Sequence, residues 1–114
     1  METVSRPILL IEDNPMDIDL TRRAFKRRKV INPLEVAHDG QEALDYIPRW
    51  EAGEPLPAVI LLDINIPKVH GLDVLRELKS KPSSQKIPVI VLTSSSEDVD
   101  IEAAYQLGAN SYIV

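Results

Sequence analysis

The chain has 114 residues, 44% of them hydrophobic, with no cysteine and a net charge of -5. That length provides one hydrophobic core and is too short for two, so we expect residues 1–114 to form a single domain. The negative charge disfavours sequence-independent binding to nucleic acid, which relies on basic surface, and the lack of cysteine excludes disulfides, thiol catalysis and Cys-ligated metals.

No segment of the sequence predicts contact with a membrane. The longest apolar runs have the length of strands, residues 1–7 lack the apolar core of a signal peptide, and no lipidation motif is found. We therefore expect a cytoplasmic protein.

The N-terminal segment predicts a strand followed by a helix. The apolar run Pro7 to Ile11 ends in two acids, Glu12 and Asp13. Asn14 is a typical N-cap, and Pro15 suits the first turn of a helix.

The predicted first helix runs from Pro15 to Arg28. Met16, Leu20, Ala24 and Phe25 lie at helical spacing, which indicates an amphipathic helix. Basic residues crowd its end, where cations favour the negative pole of the helix dipole, and we interpret them as a solvated helix end.

A second strand and helix follow. Leu34 to His38 alternates weakly and ends at the turn Asp39-Gly40. The pattern from Gln41 to Ile47 is helical, and Pro48 should end or kink that helix. Residues 49–57, with one glycine and two prolines, indicate a loop.

The most apolar run is Val59 to Leu62, which precedes Asp63. It is too apolar for an edge strand and predicts a strand buried on both faces, as in a parallel sheet covered by helices. Pro67 requires the strand to end near Asp63. In open α/β sheets, ligands bind at the carboxyl ends of the strands.

The next segment predicts a helix. It begins near Gly71, carries Leu72, Leu75 and Leu78 at helical spacing, and stops before Pro82.

The C-terminal segment predicts strand, helix and strand. Ile87 to Thr93 is a further buried strand, and Ser94 with Glu97 matches a capping box. A helix from about Glu97 to Leu107 should end at Gly108, and a fifth strand begins at Ser111. Strands that alternate with helices predict one doubly wound α/β domain with a parallel sheet.

Polar side chains follow three of these strands. Glu12 and Asp13 follow the first, Asp63 the third and Thr93 the fourth. If these strands are neighbours, the carboxylates meet at one edge and repel each other unless they share a cation or a proton. Oxygen ligands of this kind suit Mg²⁺, which would screen Asp63 against an incoming phosphoryl group. Thr93 would then donate its hydroxyl to a phosphoryl oxygen.

Other interpretations of these residues stay open. The acids after the first strand also suit a helix N-terminus, and Asp63 could be a solvated strand end. His38 and His70 have no partner at ligand spacing, so we interpret both as structural or surface residues.

Together these features resemble the response-regulator receiver domain, the aspartate-accepting half of two-component signalling. Within that family, the tract before the third strand and the ends of the fourth strand look like stand-alone regulators associated with phytochrome-type kinases. The resemblance covers nearly the whole chain and is carried by Glu12 and Asp13, Asp63 with Pro67 and Gly71, Thr93, and Tyr112.

The resemblance implies a flavodoxin-like sheet of order 2-1-3-4-5 and a phosphoryl acceptor, Asp63, that reacts with phosphohistidine on a histidine kinase. Asp13, Asp63 and the backbone carbonyl of Asn65 would ligate Mg²⁺, with Glu12 acting mostly through water. The protein would turn over no substrate beyond its own phosphorylation and dephosphorylation.

The resemblance also implies a switch. Thr93 would move toward the phosphoryl group, and Tyr112 would turn inward to fill the vacated space. This pair would alter the face of the fourth predicted helix and fifth strand, which a downstream protein partner reads.

One feature departs from the family pattern. The family lysine would directly follow Val114, and the family's fifth helix would come after it. We therefore expect a chain truncated at its C-terminus, with apolar surface uncovered beside the first helix, that forms a homodimer or exchanges elements between protomers.

Two other functions stay open. A pseudo-receiver would bind proteins without being phosphorylated. A phosphatase of the haloacid-dehalogenase type would also use a strand-end aspartate, but it needs a second acid where this chain has Asn65. Nucleotide-cofactor binding is disfavoured because no glycine-rich loop follows the first strand.

Overall fold

A single parallel sheet organises the molecule. The computed structural model describes residues 6–92 and 98–113. The five strands lie in the order β2-β1-β3-β4-β5, which confirms the predicted doubly wound topology. The strands are β1 (Ile8–Ile11), β2 (Leu34–Ala37), β3 (Val59–Leu62), β4 (Val89–Leu92) and β5 (Ser111–Ile113). The helices are α1 (Pro15–Arg27), α2 (Gly40–Leu44), α3 (Tyr46–Glu51), α4 (Gly71–Ser80) and α5 (Asp98–Gln106).

The two faces of β3 and β4 are buried to different extents, whereas β1 is buried on both faces. Ile60 and Leu62 on β3 are completely buried, whereas Leu61 between them is only half-buried, and β4 alternates in the same way. The prediction that β3 is buried on both faces is therefore wrong. Its fully buried face packs in the main core cluster with side chains of α2, α3 and α4, and no described side chain of α1 belongs to that cluster.

The bounds of α1 agree with the prediction to within one residue. The face that carries Met16, Leu20 and Ala24, however, does not turn toward the sheet. Ile18 is buried, whereas Met16 and Leu20 are 71% and 55% exposed and Ala24 is also exposed. Two stripes on this helix have apolar residues at helical spacing, so the periodicity did not determine which one faces the sheet.

The predicted second helix is two short helices. The break falls at Asp45, and α3 continues to Glu51 in a tract predicted to be loop. Pro48 does not end a helix, because it lies in the first turn of α3, where its missing N–H costs no intrahelical hydrogen bond.

The end of α5 confirms the predicted C-cap. Gly108 has φ +103° and donates its N–H to the carbonyl of Tyr105 at 3.1 Å, and the N–H of Ala109 bonds the carbonyl of Ala104 at 3.0 Å. The predicted capping box at Ser94 and Glu97 lies outside the described residues.

Within residues 6–92 and 98–113, no helix has the length and apolar character needed to cross a bilayer.

Candidate functional site

The end of β1 places two acids at the carboxyl edge of the sheet. Glu12 still bonds as a strand residue, since its N–H donates to the carbonyl of Ala37 at 2.9 Å. Its side chain is 9% exposed, and Oε2 accepts from the backbone N–H groups of Asp13 and Asn14 at 3.1 and 3.2 Å. Asp13 is exposed beside it. The chain turn after β1 therefore holds Glu12 against the sheet.

Asn14 explains why α1 starts here. Its Oδ1 accepts from the N–H of Met16 at 2.9 Å, as expected for an N-cap. The cap is supplied by Asn14, so the helix start does not require the acids to act as caps.

Asp63 lies at the equivalent point of the neighbouring strand. Its N–H donates to the carbonyl of Ile11 at 3.0 Å, which carries the β1–β3 pairing one residue past β3. Its side chain is half-buried, and Oδ1 accepts from the N–H of Asn65 at 2.9 Å. The backbone thus places Asp63 beside the end of β1.

The three acids form one cluster. Glu12, Asp13 and Asp63 each have a carboxylate oxygen within 4.8 Å of the other two. Burial, with a smaller contribution from the nearby charge and hydrogen bond of Asp63, raises the pKa of Glu12 to about 7, although the N–H of Asn14 acts in the opposite direction. Near neutral pH Glu12 is therefore close to half protonated, unless a cation compensates the charge of the cluster.

This cluster fits a hard divalent cation. Carboxylate oxygens are the ligands that Mg²⁺ takes in proteins, usually with several retained waters. Exposed Asp13 and half-buried Asp63 leave the cluster open to water, as such a site requires. Asn65, whose carbonyl was predicted as a further ligand, lies two residues after Asp63 in the same loop.

The structure describes only one residue of the predicted switch pair. Thr93 lies outside the described residues. Tyr112 lies on β5 at the register position of Val91, is half-buried, and packs against the core cluster.

Neither histidine belongs to the acidic cluster. His70 accepts a hydrogen bond from the N–H of Leu72 at 3.2 Å and so caps α4. His38 is exposed and contacts Glu42 at 3.1 Å. This agrees with the prediction that both are structural or surface residues.

Two residues near the site were not predicted to support it: Asp39 was predicted only as part of a turn, and Lys68 was not singled out. Asp39, only 8% exposed, caps α2 by accepting from the N–H of Glu42 at 2.8 Å, and its other oxygen lies 3.4 Å from Nζ of Lys68. The spacing of Asp39 and Glu42 matches an N-terminal capping pattern and would have revealed the cap. The contact between Asp39 and Lys68 joins positions 29 apart in the chain, and no local pattern predicts it.

Known proteins resemble this chain over nearly its whole length, in sequence and in structure. The response regulator receiver domain family matches residues 8–114. Response regulator Rcp1 of Synechocystis sp. is 38% identical over 108 residues, which is 93% of this chain and 74% of that protein.

Solved structures show the same likeness. The phosphorylated cyanobacterial phytochrome response regulator RcpA superposes with a TM-score of 0.88 at 39% identity, covering 96% of this chain and 80% of that one. The Mn²⁺-bound form of response regulator Rcp1 gives a TM-score of 0.87 at 36% identity, with the same coverage of both chains. The predicted likeness to phytochrome-associated regulators is thereby confirmed.

Proposed function

We propose that this chain, which belongs to the response regulator receiver domain family, accepts a phosphoryl group from a histidine kinase on Asp63 and thereby changes its binding to another protein. The observation that supports this most directly is the convergence of Glu12, Asp13 and Asp63 within 4.8 Å at the carboxyl edge of the sheet. Such a cluster supplies both a nucleophilic carboxylate and the ligands for a cation.

Asp13 and Asp63, with the backbone carbonyl of Asn65, would hold Mg²⁺, and Glu12 would act mostly through water. When bound, the cation compensates the carboxylates and the charge on the transferring phosphoryl group. The Mn²⁺-bound relative supports a divalent cation in this family.

Asp63 performs the chemical step. Its Oδ1 is engaged by the N–H of Asn65, which orients the carboxylate. Oδ2 attacks the phosphorus of a phosphohistidine, an O–P bond forms, and the P–N bond breaks with its electron pair returning to the imidazole nitrogen. The product is an acyl phosphate on Asp63, and the later attack of water would release phosphate and restore the carboxylate.

The output would depend on Thr93 and Tyr112. Tyr112 is half-buried on β5 beside α5, so its inward rotation would alter the surface formed by these two elements. A downstream protein that binds this surface would distinguish the two forms. The kinase partner would be of phytochrome type, as the names of the relatives suggest.

The acceptor is tested by intact mass after incubation with Mg²⁺ and phosphoramidate. We expect one phosphoryl group on the native protein and on Asp73→Asn, a control that alters an exposed acid on α4. Asp63→Asn should gain none, because the amide is not a nucleophile. Modification of Asp63→Asn would contradict the assignment, and no modification of the native protein would favour the pseudo-receiver.

Self-association stays a prediction. Light scattering across a concentration series measures it, and a monomeric mass throughout would contradict it.

A further inference from the structure

The loop that follows β3 contributes to the proposed metal site and is attached to the rest of the molecule at its base. Asp63 Oδ1 accepts from the N–H of Asn65 at 2.9 Å, and the N–H of Gly71 donates to the carbonyl of Ile64 at 3.0 Å. A Cβ on Gly71 would lie 2.2 Å from Cα of Ile64, so the base of the loop is closely packed. The tip of the loop, residues 66–69, is held partly by burial, since Ile66 belongs to the core cluster and Val69 packs against it.

The tip lies against the N-terminus of α2. The N–H of Gly40 donates to the carbonyl of Pro67 at 3.1 Å. A Cβ on Gly40 would lie 2.2 Å from the carbonyl oxygen of Val69, so only glycine permits this approach. A further attachment is the ion pair between Lys68 and Asp39, at 3.4 Å.

The two members of this ion pair are held differently. The Asp39 side chain is 11% exposed, and the N–H of Glu42 bonds Oδ1, which leaves Oδ2 for Lys68. The Lys68 side chain is 67% exposed. A carboxylate fixed by the α2 cap thus pairs with an exposed ammonium group of the loop.

Lys68 has a backbone conformation that disfavours lysine. Its φ is +70°, in the left-handed region that L side chains rarely adopt. Such a conformation persists where the surrounding contacts outweigh its cost. Across Lys68 the N–H of Val69 donates to the carbonyl of Pro67 at 3.0 Å, and the N–H of Gly40 bonds the same carbonyl. The ion pair of Lys68 with Asp39 adds a side-chain contact to these backbone bonds.

We propose that Asp39 and Lys68 are positioning residues that hold the loop 63–70 in the conformation that receives the divalent cation. This inference rests on the proposed function, since it names residues that support the same site. A loop ordered before the cation binds loses less conformational entropy on binding, so the cation binds more tightly.

The test compares Lys68→Asn with Lys29→Asn. Lys29 is the matched control, because it also has positive φ, +57°, but lies beyond α1. Asparagine tolerates that backbone, so neither variant should melt at a lower temperature than the native protein. Lys68→Asn should weaken Mg²⁺ binding about two- to five-fold, the range for a partly exposed ion pair, and Lys29→Asn should not.

A measurement without metal separates this inference from the proposed function. Amide hydrogen exchange in the metal-free protein should be faster across residues 64–69 in Lys68→Asn than in either the native protein or Lys29→Asn. If the native protein did not bind Mg²⁺, the proposed function would fail. The exchange rates would still test whether Asp39 and Lys68 hold the loop.

Two further variants complete the design. Asp39→Asn keeps the oxygen that caps α2 but loses the charge, so its Mg²⁺ affinity and exchange rates should match those of Lys68→Asn. The double variant should bind Mg²⁺ no more weakly than either single variant. Lys68→Arg should restore native affinity and exchange. Native exchange rates in Lys68→Asn, or equal loss of Mg²⁺ affinity in Lys29→Asn, would overturn the proposal.

Discussion

Leu62 and Asp63 are adjacent in the chain, yet they belong to regions with opposite energetics. Leu62 is completely buried among apolar side chains of the core cluster, and its burial stabilises the fold. Asp63 lies within 4.8 Å of two other acids, and their mutual repulsion opposes the fold. The comparison shows that burial in the sheet stabilises the fold against the repulsion of the acidic cluster at its carboxyl edge.

The largest effect should come from the core. Leu62→Ala removes a buried side chain and leaves a cavity, so we expect a loss of about 3 kcal/mol in the free energy of unfolding. Leu61→Ala is the matched control on the half-buried face and should cost about 1 kcal/mol. Urea denaturation measures both, and equal losses would contradict the difference between the two faces.

The acidic cluster should make stability depend on pH. Glu12 has a pKa of about 7 when folded and 4.5 ordinarily, so between these values the folded protein binds more protons than the unfolded chain. Stability of the metal-free protein should therefore fall as pH rises from 4.5 to 7, by about 2 kcal/mol.

Denaturation of metal-free protein at several pH values measures this slope. Glu12→Gln removes the titrating group, so its stability should vary little between pH 4.5 and 7. If Glu12→Gln kept the native pH dependence, a group other than Glu12 would be responsible for it.

The smallest effect should be a gain in stability at the site itself. Asp63→Asn keeps the side-chain oxygen that bonds the N–H of Asn65 but removes one of the three charges. At pH 8 without metal we expect about 1 kcal/mol of added stability by thermal or urea denaturation. If Asp63→Asn instead lost as much stability as Leu62→Ala, Asp63 would stabilise the fold as a core residue does, and the contrast between Leu62 and Asp63 would be wrong.

Local patterns predicted the strands better than the helices. The strands β1, β3 and β4 are each a short apolar run followed by a polar residue, a signal that is complete within a few positions. The break at Asp45 and the continuation of α3 past Pro48 were missed, because a proline in a first turn and one that ends a helix look alike in sequence.

The sequence by itself determined the parallel α/β sheet, because buried strands that alternate with helices impose it, and it placed the acids Glu12, Asp13 and Asp63 after strands of that sheet. The strand order that makes those strands neighbours came from the family resemblance, and the structure confirms it. Only the tertiary structure decided that Ile18 and not Leu20 of α1 turns inward, that Leu61 is half-buried, and that Asp39 meets Lys68. These outcomes depend on which elements pack against each other across long chain separations, and hydrophobic periodicity carries no information about the partner.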